Sequence, residues 1–396
     1  MSSGFPFVAP FKEIKGSPIR ELFKYLSTPG MISFAGGYPA PELFDLPGLQ
    51  ASIAAQSASL QETMSYGSSE GLPALRETLA ALSIQRGLQV GQDDILVTSG
   101  SQQAYELLVR ALIAPGDTAL VERPAYPAAI QGLRLAGANI VTVGVQEDGT
   151  DLEELARLLQ QHQPKFFYCV PTFANPSGIT LSLEKRKKLL ALLATTNCLL
   201  IEDDPYGQLR FSGQPLPTLA ELARSTPVQD QVIYLSSLSK TVAPGLRIGW
   251  MIAHPEILRR CVLAKQVDDM CSAPFMQAVA AHYLNSGRYA QHLPYMIDTY
   301  RQRAQCMLTA FSSDFNGQLR LVQPEGGMFI WAYLPSDINA TRLLPLAIDE
   351  KVMFVPGSGF YADQPDENAF RLSFSMSNEA QITEGVARFR KALDRY

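Results

Sequence analysis

Seven short apolar runs separated by helical patterns constrain the fold of this chain more than any other feature. Several of the runs are continuously apolar, which is typical of strands buried between helical layers in a mostly parallel sheet. The intervening segments have amphipathic spacing, for example Leu152, Leu155, Leu158 and Leu159 in one of them. We therefore predict an α/β fold with one seven-stranded, mostly parallel sheet between helices, whose strands lie at 95–98, 119–122, 140–145, 166–170, 199–203, 232–236 and 248–253.

The sequence changes in character on both sides of this region. The first 45 residues are rich in Pro and Gly and contain one predicted helix at 18–26, which indicates an arm rather than a domain. After about Ser272, a long helical stretch through Phe311 precedes short strands and helices in an α+β order. We therefore predict an N-terminal arm (1–45), a large domain (46–285) and a small C-terminal domain (286–396).

Composition and charge exclude several classes of function. A formal net charge of −5 gives no basic stripe of the kind that binds nucleic acid. No segment resembles a membrane span, and the N-terminus lacks the pattern of a signal peptide. The five cysteines form no C-x-x-C pair and the four histidines are scattered, which predicts reduced thiols and no metal site. The sequence thus predicts a cytoplasmic protein that binds small molecules.

The stretch Tyr234-Leu-Ser-Ser-Leu-Ser-Lys240-Thr-Val-Ala-Pro-Gly-Leu-Arg247 carries the strongest chemical signal. Lysine forms Schiff bases with carbonyl compounds, and a cationic neighbour such as Arg247 helps to keep the lysine amine unprotonated and nucleophilic. The carbonyl compound that this arrangement predicts is pyridoxal 5'-phosphate, PLP.

Two other predicted strand ends carry polar groups that suit this cofactor. Gly100 and Ser101 lie at a strand-to-helix turn, where Ser101 is the predicted N-cap, and a helix N-terminus can bind phosphate. Taken alone, this turn is equally consistent with an ordinary capped helix. A carboxylate of the acidic run Glu202-Asp203-Asp204, which ends another strand, could pair with a protonated pyridine nitrogen, and Tyr206 could bind the ring oxygen; Asp204 is interpreted as a helix N-cap.

Taken in order, the motifs of this chain resemble the fold-type I PLP-dependent enzymes of the class I/II aminotransferase family over almost its whole length. They are most similar to the branch that contains 2-aminoadipate and kynurenine aminotransferases. The segments that carry the resemblance begin at Ile32-Ser-Phe-Ala-Gly-Gly-Tyr-Pro, Tyr66-Gly-Ser-Ser-Glu-Gly, Thr98-Ser-Gly-Ser-Gln-Gln, Asn175-Pro-Ser-Gly, Glu202-Asp-Asp-Pro-Tyr, Ser237-Leu-Ser-Lys, Pro244-Gly-Leu-Arg, Pro324-Glu-Gly-Gly-Met-Phe and Arg371-Leu-Ser-Phe.

The resemblance implies a role for each matched residue. Lys240, Asp203 and Tyr206 would be catalytic: Lys240 would form the Schiff base, and the Asp-x-x-Tyr spacing assigns the pyridine nitrogen to Asp203 rather than Asp204. Tyr66 would reach the phosphate in a neighbouring subunit, which implies a homodimer. The other implied cofactor-binding residues are Gly100, Ser101, Gln102, Tyr126, Asn175, Ser237, Ser239 and Arg247.

The resemblance also implies how an amino acid substrate binds. Arg371 would bind the substrate α-carboxylate, and Gly36 and Gly37 would let the backbone approach the substrate closely, next to Asn175. Arg20 lies on the short N-terminal helix, which is a mobile gate in this branch. It would bind a side-chain carboxylate, or it is a solvated arginine paired with a nearby glutamate.

The predicted reaction is transfer of an amino group from an L-amino acid to a 2-oxo acid, with glutamate and 2-oxoglutarate as one pair. The other substrate stays open among 2-aminoadipate, kynurenine, aromatic and branched-chain amino acids. Two alternatives remain at this point. A PLP-dependent β-lyase that acts on cysteine conjugates would use the same residues, and a PLP-binding regulatory domain would share the same fold.

Overall fold

The seven predicted strands form one sheet in the computed structural model, which describes residues 5–13, 16, 18–57 and 60–396. The strands are β1 (Ile32–Ser33), β2 (Ile95–Thr98), β3 (Thr118–Arg123), β4 (Asn139–Gln146), β5 (Gly149–Thr150), β6 (Phe166–Cys169), β7 (Leu199–Asp203), β8 (Val232–Ser237), β9 (Gly249–Ile252), β10 (Arg320–Leu321), β11 (Phe329–Tyr333), β12 (Val352–Met353), β13 (Val355–Pro356) and β14 (Ala369–Ser373).

Fifteen α-helices lie among these strands in the described part of the chain. They are α1 (Ala9–Glu13), α2 (Pro18–Glu21), α3 (Leu46–Gln56), α4 (Leu60–Thr63), α5 (Pro73–Ile84), α6 (Ser101–Leu112), α7 (Pro127–Leu135), α8 (Leu152–His162), α9 (Leu183–Leu193), α10 (Leu219–Ala223), α11 (Pro255–Asp268), α12 (Pro274–Asn285), α13 (Arg288–Phe315), α14 (Ala340–Asp349) and α15 (Glu379–Asp394). Among the described residues, no helix combines the length and apolar character needed to cross a membrane.

The large sheet is mostly parallel, as predicted, and its order is β2-β9-β8-β7-β6-β3-β4-β5. Strands β4, β3, β6, β7 and β8 are mutually parallel, while β9 is antiparallel to both of its neighbours. The sequence analysis did not detect β5, because two residues are too few to produce a periodic pattern. Every residue of β2, β6, β8 and β9 is buried, which explains why these strands appear in the sequence as continuous apolar runs.

The sheet direction brings six strand ends to one edge. The five parallel strands have their carboxyl ends there, and β2 joins them because it is antiparallel to β9. The residues predicted to carry chemistry lie at this edge: Asp203 ends β7, and Gly100, Tyr126, Asn175 and Lys240 lie in the segments that follow other strands. In open α/β sheets this edge is where ligands bind.

The C-terminal part of the chain contains a separate antiparallel sheet with the order β10-β11-β14-β13. Helices α13, α14 and α15 pack together beside it around a cluster of aromatic rings that includes Phe311, Phe370 and Phe389. The predicted single helical stretch after Ser272 is wrong in one respect, because α12 ends at Asn285 and α13 begins at Arg288. Gly287 has a positive φ of 77°, which interrupts the helix.

The N-terminal segment is tied to this C-terminal part. Strand β1 pairs in parallel with β12, and the Phe34 carbonyl accepts a hydrogen bond from the backbone N–H of Ser373 at 2.7 Å. The predicted helix at 18–26 forms as α2 followed by a 3₁₀ turn at Leu22–Tyr25. The predicted division into three regions (1–45, 46–285 and 286–396) stays a prediction.

A buried carboxyl group, Glu122, lies within the large sheet. It accepts hydrogen bonds from the Thr150 hydroxyl at 2.8 Å and from the backbone N–H of Val170 at 3.3 Å. Burial raises the pKa of Glu122 to about 7, and the two hydrogen bonds offset this rise only in part. Glu122 is therefore partly protonated in the folded protein at neutral pH.

Glu122→Gln should stabilise the protein above neutral pH and not at pH near 5. The folded-state pKa lies above the unfolded value, so the wild-type protein loses stability as pH rises from the unfolded to the folded pKa. Glutamine removes this titration but keeps one acceptor and one donor, and we expect a gain of about 2 kcal/mol at pH near 8. Thermal unfolding at both pH values measures the effect, with the exposed Glu153→Gln as the control. An equal change at both pH values would contradict the prediction.

Candidate active site

A cavity of about 280 Å³ opens at the sheet edge where the strand ends meet. Every site residue predicted from the sequence lines this cavity except Gly36 and Tyr66. The lining residues from that set are Arg20, Gly37, Gly100, Ser101, Gln102, Tyr126, Asn175, Asp203, Tyr206, Ser237, Ser239, Lys240, Arg247 and Arg371. Tyr66 lies outside the cavity with 82% of its surface exposed, so the role predicted for it needs a second copy of the chain.

Lys240 follows β8, and its environment favours a neutral amine. Its Nζ donates a hydrogen bond to the Gly37 carbonyl oxygen at 2.9 Å. Burial lowers the pKa of Lys240 to about 8, the nearby Arg371 adds to this effect, and Asp203 opposes it. Arg247 was predicted to be the cationic neighbour that lowers the pKa of Lys240. In the structure, Arg247 lowers this pKa less than burial and Arg371 do. A substantial fraction of the amine is therefore available as a nucleophile or base at mildly alkaline pH.

Asp203 ends β7 as a buried carboxyl group with one unsatisfied oxygen. Its Oδ2 accepts a hydrogen bond from the Tyr168 hydroxyl at 2.7 Å, whereas Oδ1 has no hydrogen-bond partner among the described residues. Burial raises the pKa of Asp203 to about 7, and the Tyr168 hydrogen bond is the largest effect in the opposite direction. A buried oxygen without a partner is costly, so Asp203 is suited to a cationic or hydrogen-bond-donating ligand.

Asp204 does not cap a helix, and that prediction is wrong. Its Oδ2 instead accepts hydrogen bonds from Arg86 Nη2 at 2.7 Å and from the Tyr234 hydroxyl at 3.0 Å. Successive side chains of an extended segment point to opposite sides, so Asp203 and Asp204 face different environments. Asp204 is buried and Arg86 is partly buried, and this ion pair is separate from the set of side chains that lines the cavity.

The turn between β2 and α6 forms one wall of the cavity. Gly100 is the N-cap of α6 with a φ of 85°, and Ser101 is the first helical residue, so the predicted N-cap was one residue too late. The positive φ at position 100 favours glycine, and a Cβ atom there would in addition lie 2.9 Å from Arg247 Nη2. The Arg247 guanidinium donates to the Ser99 carbonyl and has no carboxylate partner among the described residues. A helix N-terminus beside a guanidinium that has no carboxylate partner is a suitable site for a phosphate group.

Ser237 belongs to the same wall of the cavity, where it ends β8. Its hydroxyl donates to the Ile248 carbonyl oxygen at 3.1 Å and lies 2.8 Å from the Ser239 hydroxyl. The two hydroxyl groups are buried, and both residues line the cavity beside Lys240. They can add hydrogen bonds to an anion held by Arg247 and the N-terminus of α6.

Arg371 enters the cavity from β14 and is fully buried. Its Nη1 donates to Asn175 Oδ1 at 2.7 Å, Nη2 donates to the Ala35 carbonyl at 2.6 Å, and Nε has no partner among the described residues. Burial lowers the pKa of Arg371 to about 10, which leaves the guanidinium charged at neutral pH. The Phe329 ring lies 4.3 Å from Cζ and holds the guanidinium plane. A buried cation without a carboxylate partner in the described chain is suited to an anionic ligand.

The structure adds lining residues that the sequence analysis did not select. Tyr168 lay within a predicted strand, and its aromatic character made it look like an ordinary core residue. Its position near the carboxyl end of β6, beside the strand that carries Asp203, was the available signal. Tyr38 and Gln131 also line the cavity. Tyr38 stood in the segment that begins at Ile32 and carries part of the resemblance, but only its glycines were selected, and Gln131 stood in a segment without a distinguishing pattern.

The comparisons with known proteins agree with this geometry. The sequence model described as "Aminotransferase class I and II" matches residues 45–389. The chain belongs to that family. A 2-aminoadipate transaminase of Thermus thermophilus is 39% identical over 383 residues, which cover 96% of this chain and 94% of the relative. An aromatic-amino-acid aminotransferase of Thermococcus litoralis is 36% identical over 387 residues, covering 96% and 92% of the two chains.

A solved structure shows the same fold. The kynurenine aminotransferase of Pyrococcus horikoshii, in complex with PMP, superimposes with a TM-score of 0.92 at 36% identity, covering 98% of this chain and 97% of the other. The predicted fold type I architecture and branch of the family are thus confirmed. This protein is a transaminase that uses PLP, and it acts on amino acids and 2-oxo acids.

The side chains of this cavity fit PLP. The unsatisfied Asp203 oxygen suits the pyridine nitrogen, and the Arg247 guanidinium with the N-terminus of α6 suits the phosphate. The Lys240 amine, with its lowered pKa, suits the aldehyde. Three chemically different groups of the cofactor therefore each have a matching partner in one cavity.

Proposed function

We propose that this aminotransferase acts on amino acids with a second carboxylate, such as glutamate and 2-aminoadipate, with glutamate and 2-oxoglutarate as one exchange pair. One observation carries the proposal: besides Arg247, which lies at the N-terminus of α6 and suits the phosphate, two arginines without a carboxylate partner in the described chain, Arg371 and Arg20, line the same cavity. Arg371 is buried and Arg20, on α2, is exposed. A substrate with two carboxylates has a partner for each guanidinium. The name of the Thermus thermophilus relative supports the same substrate class.

In the proposed reaction, each polar group of the cavity has one task. PLP, when bound, supplies the aldehyde that takes up the amino group and a ring that spreads the charge left on the α-carbon. Arg371 binds the α-carboxylate, and Asn175 holds Arg371 Nη1 in place. Lys240 Nζ accepts the proton from the α-carbon of the substrate and then donates it to the cofactor. The amine pKa of about 8 suits both directions of this transfer.

The remaining groups orient the cofactor. We propose that Asp203 binds the pyridine nitrogen through Oδ1, that Tyr206 and Asn175 bind the ring oxygen, and that Tyr126 covers one face of the ring. Tyr206 is buried at the cavity wall, and Tyr126 is partly buried and packs against the hydrophobic core, so packing holds both rings in position. The phosphate group would bind to Gly100, Ser101, Gln102, Ser237, Ser239 and Arg247. Amino-group transfer is favoured over β-elimination by the family to which the chain belongs.

Arg20→Ala should weaken dicarboxylic substrates far more than aromatic ones. Loss of a charge-assisted hydrogen bond at a partly exposed site should lower kcat/KM for 2-aminoadipate and glutamate about tenfold, with little change for phenylalanine. Donor profiling with 2-oxoglutarate as acceptor measures the effect. Lys24→Ala is the matched control, because Lys24 is an exposed cation of the same segment that does not line this cavity. Equal losses for all donors would refute the role of Arg20 and favour an aromatic or kynurenine substrate.

We also propose a homodimer and a cytoplasmic location, without nucleic-acid or membrane partners. The dimer is supported by large apolar side chains that are exposed in the single chain, and such side chains are typical of protein interfaces. They include Phe5, Phe7, Phe11, Met64, Tyr66, Val267 and Met270. Tyr66 is 82% exposed and lies in this set, in agreement with the proposal that it binds the cofactor phosphate of a second copy.

A further inference from the structure

We infer that Tyr168 is a positioning residue, whose hydroxyl holds Asp203 so that one carboxylate oxygen stays free for the pyridine nitrogen of the cofactor. This inference rests on the proposed role of Asp203 and extends it to a residue of a neighbouring strand. The Tyr168 hydroxyl donates to Asp203 Oδ2 at 2.7 Å, and both side chains are buried. Oδ1 has no partner that meets hydrogen-bond geometry among the described residues, although the nearby Ser101 hydroxyl also lowers the pKa of this carboxyl group; Oδ1 is thus the oxygen available to a ligand.

The position of Tyr168 is itself fixed by packing. Strands β6 and β7 are parallel neighbours, with Tyr168 opposite Ile201, two residues before Asp203. The Tyr105 ring meets the Tyr168 ring edge-on, with 4.9 Å between centroids. Tyr105 is in turn held by a hydrogen bond from its hydroxyl to the Ala129 carbonyl at 3.1 Å. The Tyr168 hydroxyl thus approaches Asp203 from a rigid direction, and the carboxylate cannot rotate without losing this bond.

The hydrogen bond also supports the charge of Asp203. Burial raises the pKa of this carboxyl group, and donation by a neutral hydroxyl is the largest opposing effect. No arginine forms an ion pair with Asp203 among the described residues. The neutral Tyr168 hydroxyl is therefore the protein donor that stabilises the charged carboxylate. The titratable and charged groups that influence or are influenced by Asp203 are Tyr105, Tyr126, Tyr168, Cys169, Asp204, Tyr206 and Lys240.

The chain contains a matched control for this hydrogen bond. Tyr234 on β8 is also a buried tyrosine, and its hydroxyl donates to a carboxylate, Asp204 Oδ2, at 3.0 Å. Asp204 immediately follows Asp203, yet it pairs with Arg86 rather than facing the cavity. Tyr234→Phe therefore removes a buried tyrosine–carboxylate hydrogen bond of the same kind without touching Asp203.

The test compares Tyr168→Phe, Tyr234→Phe and Asp203→Asn with the wild-type holoenzyme. The first readout is the dissociation constant of PLP, and the second is the NMR signal of cofactor labelled with a heavy isotope at the ring nitrogen. We expect Tyr168→Phe to weaken PLP binding about tenfold, because the hydroxyl serves a charged acceptor. At neutral pH, the ring-nitrogen signal of PLP in Tyr168→Phe should shift toward the value of the unprotonated nitrogen. The shift should have the same direction as in Asp203→Asn and should be smaller.

Three outcomes separate the possible explanations. A changed nitrogen signal in Tyr168→Phe, with a wild-type signal in Tyr234→Phe, supports the positioning role. A wild-type nitrogen signal in Tyr168→Phe, while Asp203→Asn changes it, overturns the inference and leaves the role of Asp203 intact. A wild-type signal in Asp203→Asn overturns the proposed role of Asp203 and this inference together. Thermal unfolding of Tyr168→Phe shows whether weaker PLP binding merely follows from lost stability; the nitrogen signal of the bound cofactor does not depend on that stability.

Discussion

Replacing Lys240 by alanine should lower turnover by at least about a thousandfold, since a positioned base alone contributes on the order of a hundredfold to ten-thousandfold. Lys240 is in addition the residue proposed to bind PLP covalently, so its loss removes two functions together. The effect is measured as 2-oxo acid formed from glutamate, with PLP in excess. Retention of noncovalent PLP binding would show that the cavity itself is intact.

Two variants serve as controls for this loss. Lys240→Arg keeps a cation in the cavity but not a nucleophile, and it should be as inactive as the alanine variant. Lys188→Ala removes an exposed lysine of α9 and should leave turnover unchanged. If Lys240→Ala kept a tenth of wild-type turnover, the assignment of the active lysine would be wrong.

Arg371→Lys should lower kcat/KM for every amino acid about a hundredfold while leaving PLP binding nearly unchanged. The planar guanidinium donates to Asn175 and to the Ala35 carbonyl at the same time, and a lysine ammonium cannot reproduce this geometry. Loss of a paired interaction with the α-carboxylate, at about 1.5–3 kcal/mol for a charged hydrogen bond, corresponds to a loss of this size. Steady-state kinetics with several donors measures it.

The two readouts distinguish substrate binding from damage to the cavity. Arg390→Lys is the control, because Arg390 is a partly exposed arginine of α15 that does not line the cavity. A hundredfold loss of PLP affinity in Arg371→Lys, with kcat/KM preserved for saturated enzyme, would assign Arg371 to the cofactor instead of the substrate.

The large sheet could be predicted from the sequence because its strands are buried on both faces. Burial on both faces produces continuous apolar runs, and these are the clearest local signal that a strand can give. In open α/β sheets, ligands bind at the carboxyl ends of the strands, and this rule predicts the position of the cavity from the strand order along the chain. The two-residue strand β5 and the break between α12 and α13 could not be predicted, since each depends on one or two residues.

The side-chain partners in the cavity were less accessible to sequence reasoning. Asp204 looked like a helix cap because Asp is a common cap, and only the fold brings Arg86, about 120 residues away, against it. Tyr168 looked like a core aromatic, and its hydroxyl acquires a role only because β6 lies beside β7. Arg247 was named as the neighbour that lowers the lysine pKa, but burial and Arg371 contribute more. Local patterns do not contain these long-range contacts.

The most direct test of the account is to identify the lysine that carries the cofactor. Holoenzyme is reduced with sodium borohydride, which fixes PLP to the amine that binds it, and the digested protein is examined by peptide mass spectrometry. We expect the modification on Lys240 and its absence from the same peptide when excess glutamate is added before reduction, because transfer of the amino group releases the lysine. Modification of another lysine, such as Lys265 or Lys185, would contradict the active site described for this protein.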